Sequence, residues 1–134
     1  MRAALGVIAA VVVFASGCAQ KDWIDRTLVT VDVTGVWEGT TRPISGTAGG
    51  SAGTVMFVLQ QQGAKVTGEM RVRAAEIMLG TSGVPIEGTV SGDTFTYHEM
   101  TGPTAHGEFQ VNGDEMVGSM TRLAAQAVTL HRQQ

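Results

Sequence analysis

Two histidines and a carboxylate come closest to a metal-binding pattern in this chain. A hairpin centred on Gly102 would place His98 opposite His106, with Glu108 nearby. Imidazole nitrogen and carboxylate oxygen are ligands that Zn²⁺ and Cu²⁺ accept. The alternation of the flanking residues puts all three side chains on a solvent face, where polar side chains are common without binding a metal. We therefore predict no metal site, and we expect no cofactor.

Nucleophilic catalysis has equally little support. Ser119 lies within residues 117–120, which lack the second glycine of a nucleophile elbow and have the setting of a strand. The sequence contains no phosphate-binding loop, no dinucleotide fingerprint and no zinc-spaced set of cysteine and histidine. The carboxylates are expected on outward faces, where they serve solubility. We therefore predict that the protein is not an enzyme and has no catalytic residues.

The single cysteine, Cys18, has a setting that indicates lipid chemistry. One positive charge at Arg2 precedes a short apolar run, and three small residues stand directly before the cysteine. This layout is typical of a secretory signal, and the run is shorter than the roughly 20 apolar residues of a spanning helix. Residues 15–18 resemble the lipobox of bacterial lipoproteins. The resemblance implies cleavage before Cys18, lipid on its sulfur and anchoring to a membrane.

The same resemblance divides the chain into a signal peptide (1–17), a lipidated N-terminus with its tether (18–28) and one folded domain (29–134). It implies a place in the cell envelope. In a cell with two membranes the outer one is expected, because Ala19 rather than Asp follows the cysteine. The mature chain has twelve acidic and eight basic residues without a basic cluster. Nucleic-acid binding is therefore not expected, because that affinity requires neutralised phosphates.

The dominant period of residues 29–134 is two, which predicts β-strands. Residues 65–73 alternate apolar with polar side chains, as in a sheet with one covered face, whereas residues 54–60 are apolar on both faces. The eight predicted strands are residues 29–39, 54–61, 65–73, 84–91, 94–100, 104–111, 115–122 and 126–132. Residues 41–53 are predicted to be a flexible loop, and residues 74–80 fit either a helical turn or further strand.

Glycine marks both the turns and the strands. The triplets 62–64, 91–93 and 112–114 each contain a central glycine and predict tight hairpins, since Gly and Asn supply a positive φ. In five strands a glycine also stands between two apolar residues of the inner face, at positions 35, 68, 88, 107 and 118. Such glycines permit curvature and the close approach of a bulky neighbour. The sequence therefore predicts an all-β, antiparallel up-and-down meander of eight strands that closes into a barrel.

Gly35-Val36-Trp37 in the first strand, followed by glycine-rich hairpins, resembles the calycin group, especially avidin-like and small lipocalin-like barrels. Residues 128–132 also resemble the last strand of bacterial lipoprotein domains of this type. The resemblance covers the chain from residue 29 to its end and implies the barrel fold. The sequence has no biotin-site motif and no lipocalin motif beyond Gly-x-Trp, so no function is transferred with the fold.

Eight aromatic and methionine side chains fall on the predicted inner faces: Trp37, Phe57, Met70, Phe95, Tyr97, Phe109, Met116 and Met120. An eight-stranded barrel is either filled by its side chains or has room for one small ligand. A hollow barrel predicts that these residues line a site for a small apolar or amphipathic molecule, with Tyr97 as the polar contact. A filled barrel predicts an interaction or inhibitor protein that acts on an envelope protein through loops 41–53 and 100–104.

Overall fold

The computed structural model describes residues 29–44, 52–74, 83–101, 105–122 and 124–134. The predicted signal peptide, Cys18 and the tether lie outside these ranges, as do residues 75–80 and most of the predicted loop 41–53. In the described part of the chain, no apolar helix reaches the length that a bilayer crossing requires. The domain division predicted for residues 1–28 therefore stays a prediction.

Eight antiparallel strands form one closed sheet. They are β1 (Gly35–Pro43), β2 (Gly53–Gln62), β3 (Lys65–Ala74), β4 (Val84–Ser91), β5 (Thr94–Glu99), β6 (His106–Asn112), β7 (Glu115–Thr121) and β8 (Ala125–Arg132). Each strand pairs with its neighbours in the chain, and β8 pairs with β1, so that every strand has a partner on both sides. The predicted all-β up-and-down barrel is confirmed, and it agrees with the architecture that the calycin resemblance implied.

Seven of the eight strands begin and end within two residues of their predicted bounds; the first does not. The predicted strand 29–39 starts instead at Gly35 and continues to Pro43, into the predicted loop. Residues 29–34 keep the alternation of buried and exposed side chains but lie outside the ladder. Val29 forms a single parallel bridge with Gly92, and Thr30 N donates to Gly92 O at 3.2 Å.

Three glycine turns define one end of the barrel, called the turn end below. Gly63, Gly92 and Gly113 have φ values of 62°, 60° and 60°, as the hairpin prediction requires. Asn112 is the last residue of β6 and pairs with Glu115, so the positive φ of that turn comes from its glycine. The opposite end, where β1 stops at Pro43 and β5 at Glu99, is called the loop end.

Residues 29–34, called the strap below, cover the turn end. Val33 of the strap is fully buried in the core, and its carbonyl accepts a hydrogen bond of 2.9 Å from Trp37 Nε1. Gln61 on β2 binds the strap twice: its Oε1 accepts from Val33 N at 2.8 Å, and its Nε2 donates to Val31 O at 3.1 Å. These contacts satisfy strap backbone groups that have no partner in the sheet.

Arg132, the last residue of β8, connects the strap to the end of the sheet. Its guanidinium lies 4.4 Å from the centroid of the Trp37 ring. It donates to the carbonyl oxygens of Thr34 and Asp32, the latter at 2.8 Å, and its Nε lies 2.8 Å from the Asp114 carboxylate. The Arg132 guanidinium thus contacts the strap, Trp37 of β1 and the turn between β6 and β7.

Two of the five recurrent glycines make room for rings inside the barrel. Gly88 and Gly107 lie on either side of Tyr97 in the sheet. A Cβ at Gly107 would stand 2.5 Å from Tyr97 Cε1, and one at Gly88 would stand 2.7 Å from Phe95 Cε2. The predicted close approach of bulky neighbours to inner-face glycines is confirmed at these positions.

Candidate ligand site

All eight predicted lining residues point into the barrel, and none is more than 3% exposed. Phe57, Phe95, Tyr97 and Phe109 form an aromatic cluster with ring centroids 5.2 to 6.2 Å apart. Edge-to-face and offset pairs at such distances are favourable ring contacts. Side chains therefore occupy the middle of the barrel. That the eight residues line a ligand site stays a prediction.

Tyr97 presents a neutral hydroxyl in the interior. Its oxygen donates a hydrogen bond to Met70 Sδ at 3.4 Å. Burial, and to a smaller extent the charge of Glu99, raise the pKa of the Tyr97 hydroxyl above its usual range, while Arg122 acts in the opposite direction. The hydroxyl therefore remains a proton donor throughout the physiological range.

Glu99 is a second polar group of the interior, and it is not among the site residues predicted from the sequence. The residue is 6% exposed and its side chain 1% exposed. The expectation that the carboxylates lie on outward faces is wrong here, as is the expectation that Tyr97 is the only polar contact inside. Strand alternation does predict an inward Glu99, because Glu99 follows Phe95 and Tyr97 at a spacing of two, which places all three on one face of β5.

The carboxylate of Glu99 is incompletely satisfied. Its Oε1 lies 3.4 Å from Arg122 Nε, which is long for a charge-assisted hydrogen bond. The same oxygen is buried and accepts no hydrogen bond from the residues that the structure describes. Most buried polar atoms have at least one hydrogen-bond partner. Among the described residues, Glu99 Oε1 therefore has an acceptor position that no donor occupies.

Four small residues contribute to the inner face around the loop end, beside larger ones such as Ile86 and Met120. Thr41 and Ala105 are buried, and Gly53 and Gly107 have inward positions without a side chain. Thr41 Oγ1 accepts a hydrogen bond from Gly53 N at 3.1 Å, which ties β1 to the start of β2.

The remaining polar candidates lie outside the barrel. His98 and His106 are directly opposed across β5 and β6 and exposed, as the hairpin prediction placed them. Within the described ranges, no group of three His, Cys, Asp or Glu side chains has the geometry to bind a metal ion. His131, on the outer face of β8, has its Nδ1 3.8 Å from the Glu115 carboxylate. Ser119 is exposed on β7.

Comparison with known proteins gives limited similarities. No family model matches the sequence, and no curated protein is significantly similar to it. Among solved structures, two variants of the fluorescent protein UnaG match. One variant has 14% identity and a TM-score of 0.45, and the match covers 76% of this chain and 96% of the variant. The other variant has 15% identity and a TM-score of 0.46, and the match covers 75% of this chain and 95% of the variant. The REP1-NXSQ fatty acid transporter matches at 12% identity with a TM-score of 0.44, covering 75% of this chain and 96% of its own. At TM-scores below 0.5 no functional residue is transferred from these proteins.

Proposed function

We propose that this protein is a lipid-anchored barrel of the bacterial cell envelope that binds one small amphipathic molecule at its loop end. The observation that supports binding most directly is Glu99, a buried carboxylate with an oxygen that accepts no hydrogen bond from the described residues. Removing a charge from water without full compensation is costly. A barrel built only as a solid scaffold would not need the buried pair of Glu99 and Arg122, since apolar residues of similar volume in place of both are often as stable. A ligand that donates a hydrogen bond to Glu99 Oε1 would explain the carboxylate.

The chemistry of the ligand follows from the groups around Glu99. Its polar group is a hydrogen-bond donor, such as an amine or a hydroxyl, because the open position on Glu99 is an acceptor. Its apolar part would contact Ile86, which lies opposite Glu99 on β4, and the small inner residues of the loop end. Of the predicted lining residues, Tyr97 and Met120 lie nearer this end, whereas Trp37 and Met116 lie nearer the turn end.

The proposed role is binding without catalysis at a membrane surface. Ser119 and the three histidines His98, His106 and His131 are exposed rather than inward, so none of them faces the proposed ligand. The anchor rests on the lipobox-like residues 15–18 and on Cys18 as the only cysteine of the chain. Two or more acyl chains on one cysteine would give stable attachment, whereas a single chain gives only marginal binding.

Native mass spectrometry of the full-length protein purified from its producing cells is the first test. We expect an additional mass that is lost on denaturation. Dodecylamine, dodecanol and dodecanoic acid then serve as probes, with binding read from the rise in melting temperature. The amine and the alcohol should stabilise the wild type, and the acid should not, because its carboxylate cannot donate to Glu99.

Glu99→Gln is the informative variant, and Glu108→Gln, an exposed carboxylate on the neighbouring strand, is its matched control. Glu99→Gln should still fold, because glutamine keeps the shape of the side chain and the 30% exposed side chain of Arg122 can be solvated when it loses its partner. It should lose about tenfold or more in affinity for the amine, and Glu108→Gln should not. Wild-type affinity in Glu99→Gln would contradict the assignment of Glu99, and the absence of both a bound mass and a probe effect would contradict ligand binding altogether.

A filled barrel that acts on an envelope protein through its loops is the second candidate. The aromatic rings that occupy the middle favour it, as do two exposed apolar residues at the loop end, Ile44 at 43% and Met100 at 54%. A photoreactive residue at position 100 should then give a discrete protein adduct in cells. The same residue at Val117, 46% exposed on the outer face of β7, is the control and should not.

A further inference from the structure

The basic residues of the described chain fall into two groups. Four of the six have a carboxylate within 4 Å: Lys65 with Glu87, Arg71 with Glu69, Arg122 with Glu99 and Arg132 with Asp114. Within the described ranges, Arg42 and Arg73 form neither an ion pair nor a hydrogen bond through their guanidinium groups. One arginine without a partner is common on a protein surface, but Arg42 and Arg73 line the same groove.

Arg42 and Arg73 line one open groove of about 550 Å³ on the outer face of β1, β2 and β3, near the loop end. The sheet register places Thr40, Thr54 and Arg73 in one row across the three strands, and Arg42 lies two residues further along β1. Strand spacing and rise put the Cα atoms of the two arginines roughly 12 Å apart. Two extended guanidinium side chains can approach a single group between them over that distance.

The acidic residues on the same faces of β1 and β3 lie toward the turn end. Glu38 precedes Arg42 by four residues, about 13 Å along an extended strand. Glu69 precedes Arg73 by the same interval and is paired with Arg71 at 3.6 Å. Among the described residues, the groove therefore has two positive charges without a neighbouring carboxylate, in a chain whose net charge is −3.

We infer that this groove binds a phosphate group, either free or as part of a head group. The planar guanidinium fork matches the oxygens of a phosphate, and each arginine would donate charge-assisted hydrogen bonds to it. The hydroxyls of Thr40 and Thr54 stand in the same row and would add hydrogen bonds. The site lies on the outside of the barrel, so it does not depend on the ligand proposed at Glu99.

Titration calorimetry of the full-length protein in a non-ionic detergent tests the groove with two probes, inorganic phosphate and dihexanoyl phosphatidic acid. Arg42→Gln and Arg73→Gln should each weaken binding by about tenfold or more. Arg71→Gln is the matched control, because Arg71 lies on the same strand and face as Arg73 but is paired with Glu69. Its affinity should stay within about twofold of the wild type, since a paired exposed charge contributes little.

The two probes separate the sources of phosphate. Tighter binding of the lipid would identify a head group, and equal binding would identify a free anion; both outcomes support the groove. An Arg71→Gln variant as impaired as Arg73→Gln would show that only net charge matters, and the inference would be wrong. It would also be wrong if neither probe gave a heat of binding. Glu99→Gln should bind phosphate as the wild type does, so failure of one proposal leaves the other intact.

Discussion

Two polar side chains on the inner face of β5 have complementary chemistry inside one barrel. Tyr97 is a neutral donor, hydrogen-bonded to Met70 Sδ at 3.4 Å. Glu99, two residues further, is an acceptor beside Arg122 with one oxygen unused by the described residues. A donor and an acceptor in an apolar setting can orient an amphipathic molecule, whereas apolar packing alone has no directional preference.

The ionisation of Tyr97 should couple to folding at alkaline pH. Burial raises the pKa of its hydroxyl in the folded protein only, so the unfolded chain ionises first, at about pH 10. Above that pH the unfolded state binds fewer protons than the folded state, and the free energy of unfolding decreases as pH rises. The contribution of the neutral Tyr97 hydroxyl to the free energy of unfolding is complete below about pH 10. It decreases as the pH rises toward the pKa of Tyr97 in the folded protein. Urea unfolding at a series of pH values measures it.

Tyr97 is the only tyrosine of the chain, so tyrosinate absorbance reports this hydroxyl alone. We expect the absorbance to rise only as the protein unfolds. Tyr97→Phe is the control and should remove this component of the pH dependence. Tyrosinate formation in the still-folded protein at the pH of free tyrosine would mean that the hydroxyl is exposed to solvent.

The candidate site could be predicted from the sequence only in part. Alternation placed the aromatic and methionine residues on the inner face correctly, because apolar side chains are expected where they are buried. Glu99 has the same spacing. Because a carboxylate is seldom fully buried, it was nevertheless predicted to lie on the outward face with the other carboxylates. A polar residue at an inward position of a regular strand is therefore a better indicator of a site than the apolar set around it.

The first strand shows what alternation can and cannot predict at the scale of an element. Residues 29–34 alternate as a strand does, because one side of the strap packs on the core. Alternation does not specify the hydrogen-bond partner, and here the partners are side chains and a turn rather than a neighbouring strand. Gly35, with a φ of 132°, is the first residue of β1, and the strap ends directly before it. The other strands were predicted closely because glycine turns fixed the register of three hairpins.

Gln61 should control whether the strap stays closed. Gln61→Ala removes the acceptor of Val33 N and the donor to Val31 O, so it should cost about 1–3 kcal/mol of stability. Hydrogen exchange at the Val33 amide should accelerate more than exchange in the strands. Gln60→Ala, one residue away and exposed, is the matched control and should change neither quantity. Unchanged exchange at Val33 in Gln61→Ala would show that Trp37 and Arg132 are sufficient to close the strap.

The whole molecule has two unlike ends. The turn end is closed by the strap and by Arg132, whereas the loop end has Glu99 inside and the groove of Arg42 and Arg73 outside. The chain enters the described barrel at Val29, beside the Gly92 turn. A tether from Cys18 would therefore join the barrel at its turn end. Both proposed sites would then lie at the end remote from the anchor, accessible to molecules delivered from the aqueous side.

Replacement of Cys18, the proposed anchor residue, tests this view of the whole molecule. Cys18→Ser removes the sulfur on which the lipid would be placed, so lipid-dependent cleavage should not occur. We expect wild-type protein in the membrane fraction as a mature, lipid-modified chain, and Cys18→Ser as uncleaved precursor or as soluble material. Cell fractionation with intact-mass measurement distinguishes these forms. Ser16→Ala keeps a small residue before the cysteine and should be processed as the wild type. Because the barrel has its own closed core, Cys18→Ser should still fold and bind the amine probe, and mature membrane-bound Cys18→Ser would contradict the lipid anchor.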